Sequence, residues 1–182
     1  MKLWTVRPET DWQILQRHGV FVSDPRYVIP EWQAAYRWMA ARLAEKTPAP
    51  AGVAFPIWAW YRAHGSLRPK PDLRKRGFLQ AGQKGVRLEL ELPDEHVLLS
   101  SFDGWHAVLN NWFFTLDDAQ YEHAERLEAS LPPDALAREK ERSWHRIFDL
   151  NLLPDPERYE VQAVFWQLRL AHVRQVDFFT AR

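Results

Sequence analysis

A histidine and an asparagine one helical turn apart form the first pattern in this sequence that could do chemistry. If Asp103 caps a helix, His106 and Asn110 are i, i+4 neighbours on one helix face. A histidine titrates near neutral pH, so His106 could act as a general base or hold a ligand hydroxyl beside the Asn110 amide. The same spacing also suits a structural role, in which His106 supports the cap and Asn110 binds nearby backbone.

Two tryptophans in a predicted strand form the second pattern. Trp58 and Trp60 are two residues apart and therefore share one face of the strand, and Arg62 comes next on that side. Indoles stack on flat rings and a guanidinium holds phosphate, so this face could bind a nucleobase or a nicotinamide. The chain has ten tryptophans in 182 residues, and such rings can equally well fill a core.

Charged and amide side chains in other segments complete the candidate site. Asp72 and Arg74 lie in a basic loop, where an arginine could bind phosphate through two N–H groups and Asp72 could orient it. Arg7 ends the first predicted strand. Glu160 and Gln162 share one face of a late strand and could meet Arg7 if the two strands pair. A carboxylate and an amide there could hold ribose hydroxyls or stabilise a cationic intermediate, although a solvent-exposed face explains them equally well.

The composition and the missing motifs exclude several other chemistries. No cysteine is present, which removes disulfides, thiolate zinc sites, iron–sulfur clusters and cysteine nucleophiles. No phosphate-binding P-loop, GxGxxG, HExxH or GxSxG motif occurs. The seven histidines never pair at i+3 or i+4, and we predict no metal site. The 24 basic and 24 acidic residues balance, so nucleic-acid binding through bulk positive charge is disfavoured, and only the local patch 68–76 is a candidate for single-stranded RNA or DNA.

The elements that must position these residues are strands and helices in irregular order. Leu3 to Val6 is an apolar run typical of a buried strand, and a helix starting near Pro8 and stopping at Gly19 follows it. The strongest helical pattern of apolar residues in the chain predicts a helix that starts at Pro30. Val86 to Leu92 alternates between apolar and charged residues, which predicts a strand, and His96 to Ser100 can return as its antiparallel partner.

The second half of the chain predicts more helices and two final strands. Asp117 and Asp134 are placed to cap two helices, Tyr159 to Trp166 alternates as a strand, and Val173 to Phe179 suggests a last one. Regular βαβ alternation is missing. The pattern therefore predicts an α+β fold in a single globular domain, residues 1–182, with an antiparallel or mixed sheet and several packed helices.

Two segments rich in proline and glycine, near 47–53 and 64–77, are predicted to be flexible loops. The chain opens without an apolar leader, and no 18-residue apolar run occurs in it. We therefore expect a cytoplasmic protein without a membrane partner.

Six short groups of residues are spread along almost the whole chain: Leu3-Trp4-Thr5, Pro56-Ile57-Trp58-Ala59-Trp60, Pro71-Asp72-Leu73-Arg74, Trp105-His106 with Val108-Leu109-Asn110, Ser143-Trp144 with Ile147-Phe148-Asp149-Leu150, and Gln162-Ala163 with Phe165-Trp166. Together they resemble a bacterial family catalogued as domain of unknown function 3841 (DUF3841). Where the family leads us to expect glutamine, this sequence has Arg7. The resemblance implies no established activity.

The N-terminal layout is also similar to that of ADP-ribosyltransferases. Those enzymes open with a short strand that carries a polar NAD-gripping residue, followed by a helix that ends in glycine, and Leu3 to Arg7 with Trp12 to Gly19 follows this order. They place a catalytic glutamate on a late strand, often two residues after another Glu or Gln. Here Glu160 and Gln162 stand in the reverse order. The similarity implies NAD as a cofactor and a transferase reaction.

We therefore expect a nucleotide-like ligand, with NAD as the candidate cofactor, and leave open whether the protein is an enzyme. Trp58 and Trp60 would stack the flat ring, and His106 with Glu160 would form the catalytic pair. The alternatives are a non-enzymatic interaction module or homodimer, whose surplus rings contact a partner, and a single-stranded nucleic-acid binder. The remaining residues predicted to bind the ligand are Arg7, Asp72, Arg74, Asp103, Asn110 and Gln162.

Overall fold

A six-stranded antiparallel sheet with helices on both faces forms the body of the protein. The computed structural model describes residues 1–153, 155 and 157–182. The sheet order is β5–β6–β3–β1–β4–β8, and β2 and β7 form a separate two-stranded ribbon. The fold is therefore α+β, as predicted. In chain order the elements are β1 (Lys2–Pro8), α1 (Glu9–His18), β2 (Val20–Val22), α2 (Gln33–Lys46), β3 (Ile57–Arg62), β4 (Lys84–Glu91), β5 (Leu98–Ser101), α3 (Phe102–Leu109), α4 (Asp118–Ser130), α5 (Pro133–Trp144), β6 (Val161–Phe165), β7 (Gln167–Arg169) and β8 (Val173–Thr180).

Different helices cover the two faces of the sheet. The leucines of β4, among them Leu88, point to one face because strand side chains alternate, and Leu15 of α1 packs among them. On the opposite face Val164 of β6 packs with Met39 of α2 and Trp105 of α3. Each fully buried side chain of this size contributes about 1.5–3 kcal/mol. The two cores fix the strands and therefore the loops at their ends.

The predicted hairpin of Val86–Leu92 with His96–Ser100 is wrong. Strand β4 exists, but β1 and β8 occupy its two edges. A 3-10 turn at Asp94–His96 leads the chain away from β4, and β5 pairs with β6. Alternation locates a strand and its buried face but carries no information about which neighbour it pairs with.

The predicted helix starts have mixed outcomes. Asp117 caps α4 as expected, since its carboxylate accepts a hydrogen bond from the Gln120 N–H at 2.8 Å. Asp134 does not cap α5, because Pro132 precedes the helix and Asp134 lies in its first turn. The helix predicted from Pro30 begins with a 3-10 turn at Pro30–Trp32, and α2 proper starts at the next residue.

Ion pairs fasten the basic loop between β3 and β4 onto the sheet. Arg87 of β4 donates to the Pro71 carbonyl and to the Asp177 carboxylate of β8, at 2.6 Å in the second case. Lys70 lies 3.2 Å from the same carboxylate. Burial alone would raise the pKa of Asp177, but the hydrogen bonds from Arg87, Gln175 and Lys70 outweigh it and lower the pKa to about 2. The loop therefore lies over the β4–β8 side of the sheet.

Candidate functional site

A cavity of about 930 Å³ lies at the end of the sheet where β1 stops and β3 begins. We call it the end cavity. Its walls come from these two strand ends, the start of α1, β2 with the turn that follows it (23–28), and Tyr36 of α2. Arg7 and Trp58, two of the residues predicted to bind ligand, both line it. Its volume falls within the range of small-molecule sites.

The Arg7 guanidinium is held only loosely by the residues around it. Its Cζ lies 4.6 Å from the centroid of the Phe21 ring, and the Asp11 carboxylate lies 3.3 Å from Nε. That separation gives charge attraction, but Nε is buried and makes no hydrogen bond to the described residues. Burial lowers the pKa of Arg7 and raises that of Asp11, and the attraction between the two charges opposes both shifts.

Trp58 and Tyr36 form the aromatic wall of the end cavity. The Trp58 ring packs on Trp105 of α3, with centroids 4.5 Å apart, and contacts Tyr36 edge-on at 5.9 Å. The Trp58 Nε1–H is buried and has no acceptor in the part of the chain that the structure describes. Burial raises the pKa of Tyr36, so its hydroxyl stays protonated at neutral pH. Leaving a buried donor unpaired costs about 1–3 kcal/mol.

Trp60 is not among the described residues that line the end cavity. It shares a strand face with Trp58, as predicted, but it packs on Phe102 at a centroid distance of 5.0 Å and pairs with Trp4 and Gln162 across the sheet. Helix α3 thus covers Trp60 with Phe102, its first residue, and covers Trp58 with Trp105, which lies about one turn later. The two indoles therefore do not present one shared stacking surface to the end cavity.

His106 and Asn110 bind backbone, which is the structural alternative that the sequence leaves open. The His106 Nδ1–H donates to the Phe102 carbonyl at 2.9 Å, and the ring contacts the Phe102 side chain edge-on. The Asn110 amide donates to the His106 carbonyl at 2.8 Å at the end of α3. Neither residue is among the described ones that line the end cavity.

Ser101 caps α3, so the prediction that Asp103 caps it is wrong. The Ser101 hydroxyl accepts a hydrogen bond from the Gly104 N–H at 3.1 Å, while Asp103 lies exposed in the first turn. Both serine and aspartate are good cap residues. The cap falls on Ser101 because β5 runs directly into α3, which starts the helix two residues earlier than expected.

Glu160 meets the basic loop and not Arg7. The first strand and the late strand do not pair, because β3 lies between β1 and β6. The Glu160 carboxylate lies 3.3 Å from His64 Nδ1, and His64 Nε2 accepts a hydrogen bond from the Asp72 N–H at 3.4 Å. The Lys75 ammonium also lies 3.2 Å from His64 Nδ1, so this ring nitrogen is close to both a donor and a carboxylate. We call His64, Asp72, Arg74 and Glu160 the loop cluster.

Asp72 and Arg74 are joined by a two-point ion pair within this cluster. Arg74 Nε and Nη2 donate to the two carboxylate oxygens at 2.9 and 2.7 Å, and these bonds hold the pKa of Asp72 well below its usual range. Gly65 lets the loop approach the segment before β6. Its φ is 76°, and a Cβ added there would lie 1.6 Å from the Glu157 carbonyl oxygen.

The structure therefore divides the predicted site residues between several places. Arg7 and Trp58 share the end cavity, whereas Asp72, Arg74 and Glu160 share the loop cluster. Gln162 pairs with Trp60 on one side and Ser100 on the other, with its Oε1 buried and without a partner in the described chain. Sequence reasoning did not select Asp11 or Tyr36 for the cavity, or His64 for the cluster. No motif marks these three residues, because only the strand order brings them to their sites.

A match to a protein family covers almost the whole chain. A family model described as "Domain of unknown function (DUF3841)" matches residues 2–174 of the 182. The chain belongs to this family. The resemblance carried by the six groups of residues is thereby confirmed, and the DUF3841 match includes both the end cavity and the loop cluster. No curated protein and no solved structure matches the chain.

Two kinds of feature are absent from the part of this DUF3841 chain that the structure describes. In the described ranges, no helix combines the length and apolar character that crossing a membrane requires. The described residues also contain no group of three or more His, Asp or Glu side chains placed to hold a metal ion.

Proposed function

We propose that this protein binds a small ligand with a flat ring and an anionic group in the end cavity, a nucleotide or NAD being the class that fits best. One observation carries the proposal. Arg7 Nε and Trp58 Nε1 are two buried N–H donors of the same cavity, and neither has an acceptor among the described residues. Buried polar groups without partners are rare and call for an explanation.

The chemistry of the lining indicates what the ligand offers. The Arg7 guanidinium, the Trp58 indole N–H and the protonated Tyr36 hydroxyl are all hydrogen-bond donors. A phosphate or carboxylate would supply the acceptors, and a guanidinium binds such groups well. Asp11 adds one acceptor, which suits a ribose hydroxyl. The rings of Trp58, Tyr36 and Phe21 provide apolar walls for a flat ring.

We propose ligand binding only and assign no reaction to the end cavity. His106 and Glu160, the predicted catalytic pair, are not among the described residues lining the end cavity. Transfer of an ADP-ribosyl group would place a carboxylate beside the bound sugar, and Asp11 is the acidic side chain closest to Arg7. A catalytic role for His106 and Glu160 therefore stays a prediction without support from the cavity.

Titration calorimetry with NAD, ADP, AMP and ribose 5-phosphate tests the proposal. We expect binding of at least one adenine nucleotide at sub-millimolar concentration. Arg7→Gln should weaken it at least about tenfold, because a charge-assisted hydrogen bond is worth about 1.5–3 kcal/mol. Trp58→Phe keeps the ring but removes the N–H and should weaken binding less. Arg174→Gln, which removes an exposed arginine paired with Glu91, is the matched control.

Two results would contradict the proposal. One is the absence of heat and of any thermal shift with all four ligands at millimolar concentration. The other is nucleotide binding that Arg7→Gln and Arg174→Gln reduce equally, since that would indicate a general charge effect and not a site at Arg7.

A further inference from the structure

A second cavity, of about 340 Å³, has a lining that shares no residue with that of the end cavity. The loop after α2, the turn after β4 and the residues from Phe165 to His172 form its walls. Its lining includes Arg169, His96 and His172, and none of its described lining residues is an aspartate or glutamate. We call it the histidine cavity. A pocket that contains a guanidinium and two imidazoles, with no acid among its described lining residues, favours an anion.

Local hydrogen bonds leave donors free for a ligand. His172 Nδ1 accepts the Arg169 backbone N–H at 3.3 Å, so the neutral ring carries its proton on Nε2. The Arg169 side chain donates through Nη2 to the Gln167 side chain at 2.9 Å, which is its one hydrogen bond among the described residues, and the guanidinium has further N–H groups. Both basic side chains can therefore donate to an anion without breaking these bonds.

The remaining walls of the histidine cavity are firmly held. Phe165 and Trp166 are almost fully buried, and the Trp166 indole N–H donates to the Thr47 carbonyl at 2.8 Å. The Thr47 hydroxyl in turn lies 3.4 Å from His96 Nδ1. The loop after α2 is thus tied to Trp166, which lies between β6 and β7.

The charged groups around the cavity leave its positive potential in place. Burial, Arg169, His96 and Arg174 all lower the pKa of His172, so its neutral ring serves as a hydrogen-bond donor, and the positive charge of the cavity comes from Arg169. Arg174 pairs with Glu91 at 2.8 Å, and the N-terminal ammonium pairs with Asp94 at 2.9 Å. Glu95 lies in the same turn as His96, and the Lys46 ammonium donates to the Val97 carbonyl next to it. Two of the three nearby carboxylates are thus already engaged by other cations.

We propose that the histidine cavity binds a small molecule bearing an oxyanion, a carboxylate or a phosphate, through Arg169, His172 and His96. The site is independent of the end cavity, because the two linings share no residue. Its volume suits a compact metabolite, and the buried rings of Phe165 and Trp166 offer contact for the apolar part of such a molecule.

Histidine-resolved NMR tests this proposal with inorganic phosphate and acetate as separate probes, at ionic strength held constant with sodium chloride. We expect one probe to shift the ring signals of His172 and His96 saturably at millimolar concentration. The bound anion should also raise the pKa of His172, because it favours the charged ring. Saturation by phosphate alone would identify a phosphate site, and saturation by acetate alone would identify a carboxylate site.

Two variants make the result specific. Arg169→Gln should weaken binding at least about tenfold, because Arg169 is exposed and its loss removes a charged donor without opening the core. Arg17→Gln removes an exposed arginine at the end of α1 and should leave the affinity within about twofold. Shifts that follow ionic strength alone, or equal losses in the two variants, would overturn the proposal.

Discussion

Replacing Gly65 with alanine tests whether the basic loop is truly packed against the segment before β6. An added Cβ would lie 1.6 Å from the Glu157 carbonyl oxygen and 2.4 Å from its carbon, and contacts below 3.0 Å essentially do not occur. Both atoms belong to the backbone, so no side-chain rotation relieves the overlap. The loop must move away by more than an ångström, which would separate His64 from Glu160.

Gly19→Ala provides a matched control, because Gly19 has nearly the same backbone conformation but an open environment. Its φ is 72°, and no atom lies within 4 Å of an added Cβ. Alanine in the left-handed region costs about 1–2 kcal/mol, and we expect Gly19→Ala to lose only that. For Gly65→Ala the overlap adds to this conformational cost, and we expect a total of about 3–5 kcal/mol, in the range that single substitutions rarely reach.

Urea denaturation followed by tryptophan fluorescence measures both variants against the wild type. For a chain of this size each kcal/mol also lowers the melting temperature by about 2–4 °C, so the two variants should separate clearly in a thermal scan. Equal losses of unfolding free energy in Gly65→Ala and Gly19→Ala would refute the reasoning, since only the contact with Glu157 distinguishes the two sites.

Two further predictions concern a helix cap and an ion pair. Ser101→Ala should lower the free energy of unfolding by about 1 kcal/mol in urea, because it removes the cap of α3, while Asp103→Ala should change it by less than about 0.5 kcal/mol; the reverse order would restore Asp103 as the cap. The folded-state pKa of Asp177 is about 2, below its unfolded value of about 3.9, so its carboxylate contributes stability that is present above about pH 4 and is lost as the pH falls toward 2. Asp177→Asn should therefore lower the unfolding free energy by up to about 2 kcal/mol at pH 7, with a difference that shrinks toward pH 2; parallel pH profiles would show that the pairing with Arg87 contributes nothing.

The sequence predicts where the strands and helices lie far better than it predicts which strands pair with each other. The alternation of Val86–Leu92 locates β4, and the glycine at position 19 marks the end of α1. Both signals are local, because they depend on side-chain direction and backbone conformation. Paired residues of the six-stranded sheet lie between 56 positions apart (Trp4 and Trp60) and 108 positions apart (Ile57 and Phe165). Nothing in His96–Ser100 itself therefore shows that it pairs with β6.

The same distinction explains what could be predicted of the candidate site. Arg7 and Trp58 stand out as a charge at a strand end and a ring on a strand face, and they meet because β1 and β3 are antiparallel neighbours. The sequence allows Glu160 to meet Arg7 only if their strands pair, but β3 lies between these strands, and Glu160 lies beside His64. A lone histidine in a polar loop carries no signal of its own.

The position of β1 in the middle of the sheet has a consequence for how the polypeptide acquires its structure. Pro8 lies opposite Gly85, and Leu90 lies opposite Val173, so these two ladders close loops of 76 and 82 residues. Contacts so distant along the chain require a large loss of entropy before they gain hydrogen bonds, which slows folding. During synthesis on the ribosome, β1 emerges well before the strands that pair with it, so its apolar side chains stay exposed in the meantime. A chaperone that prevents aggregation would be most needed during this interval.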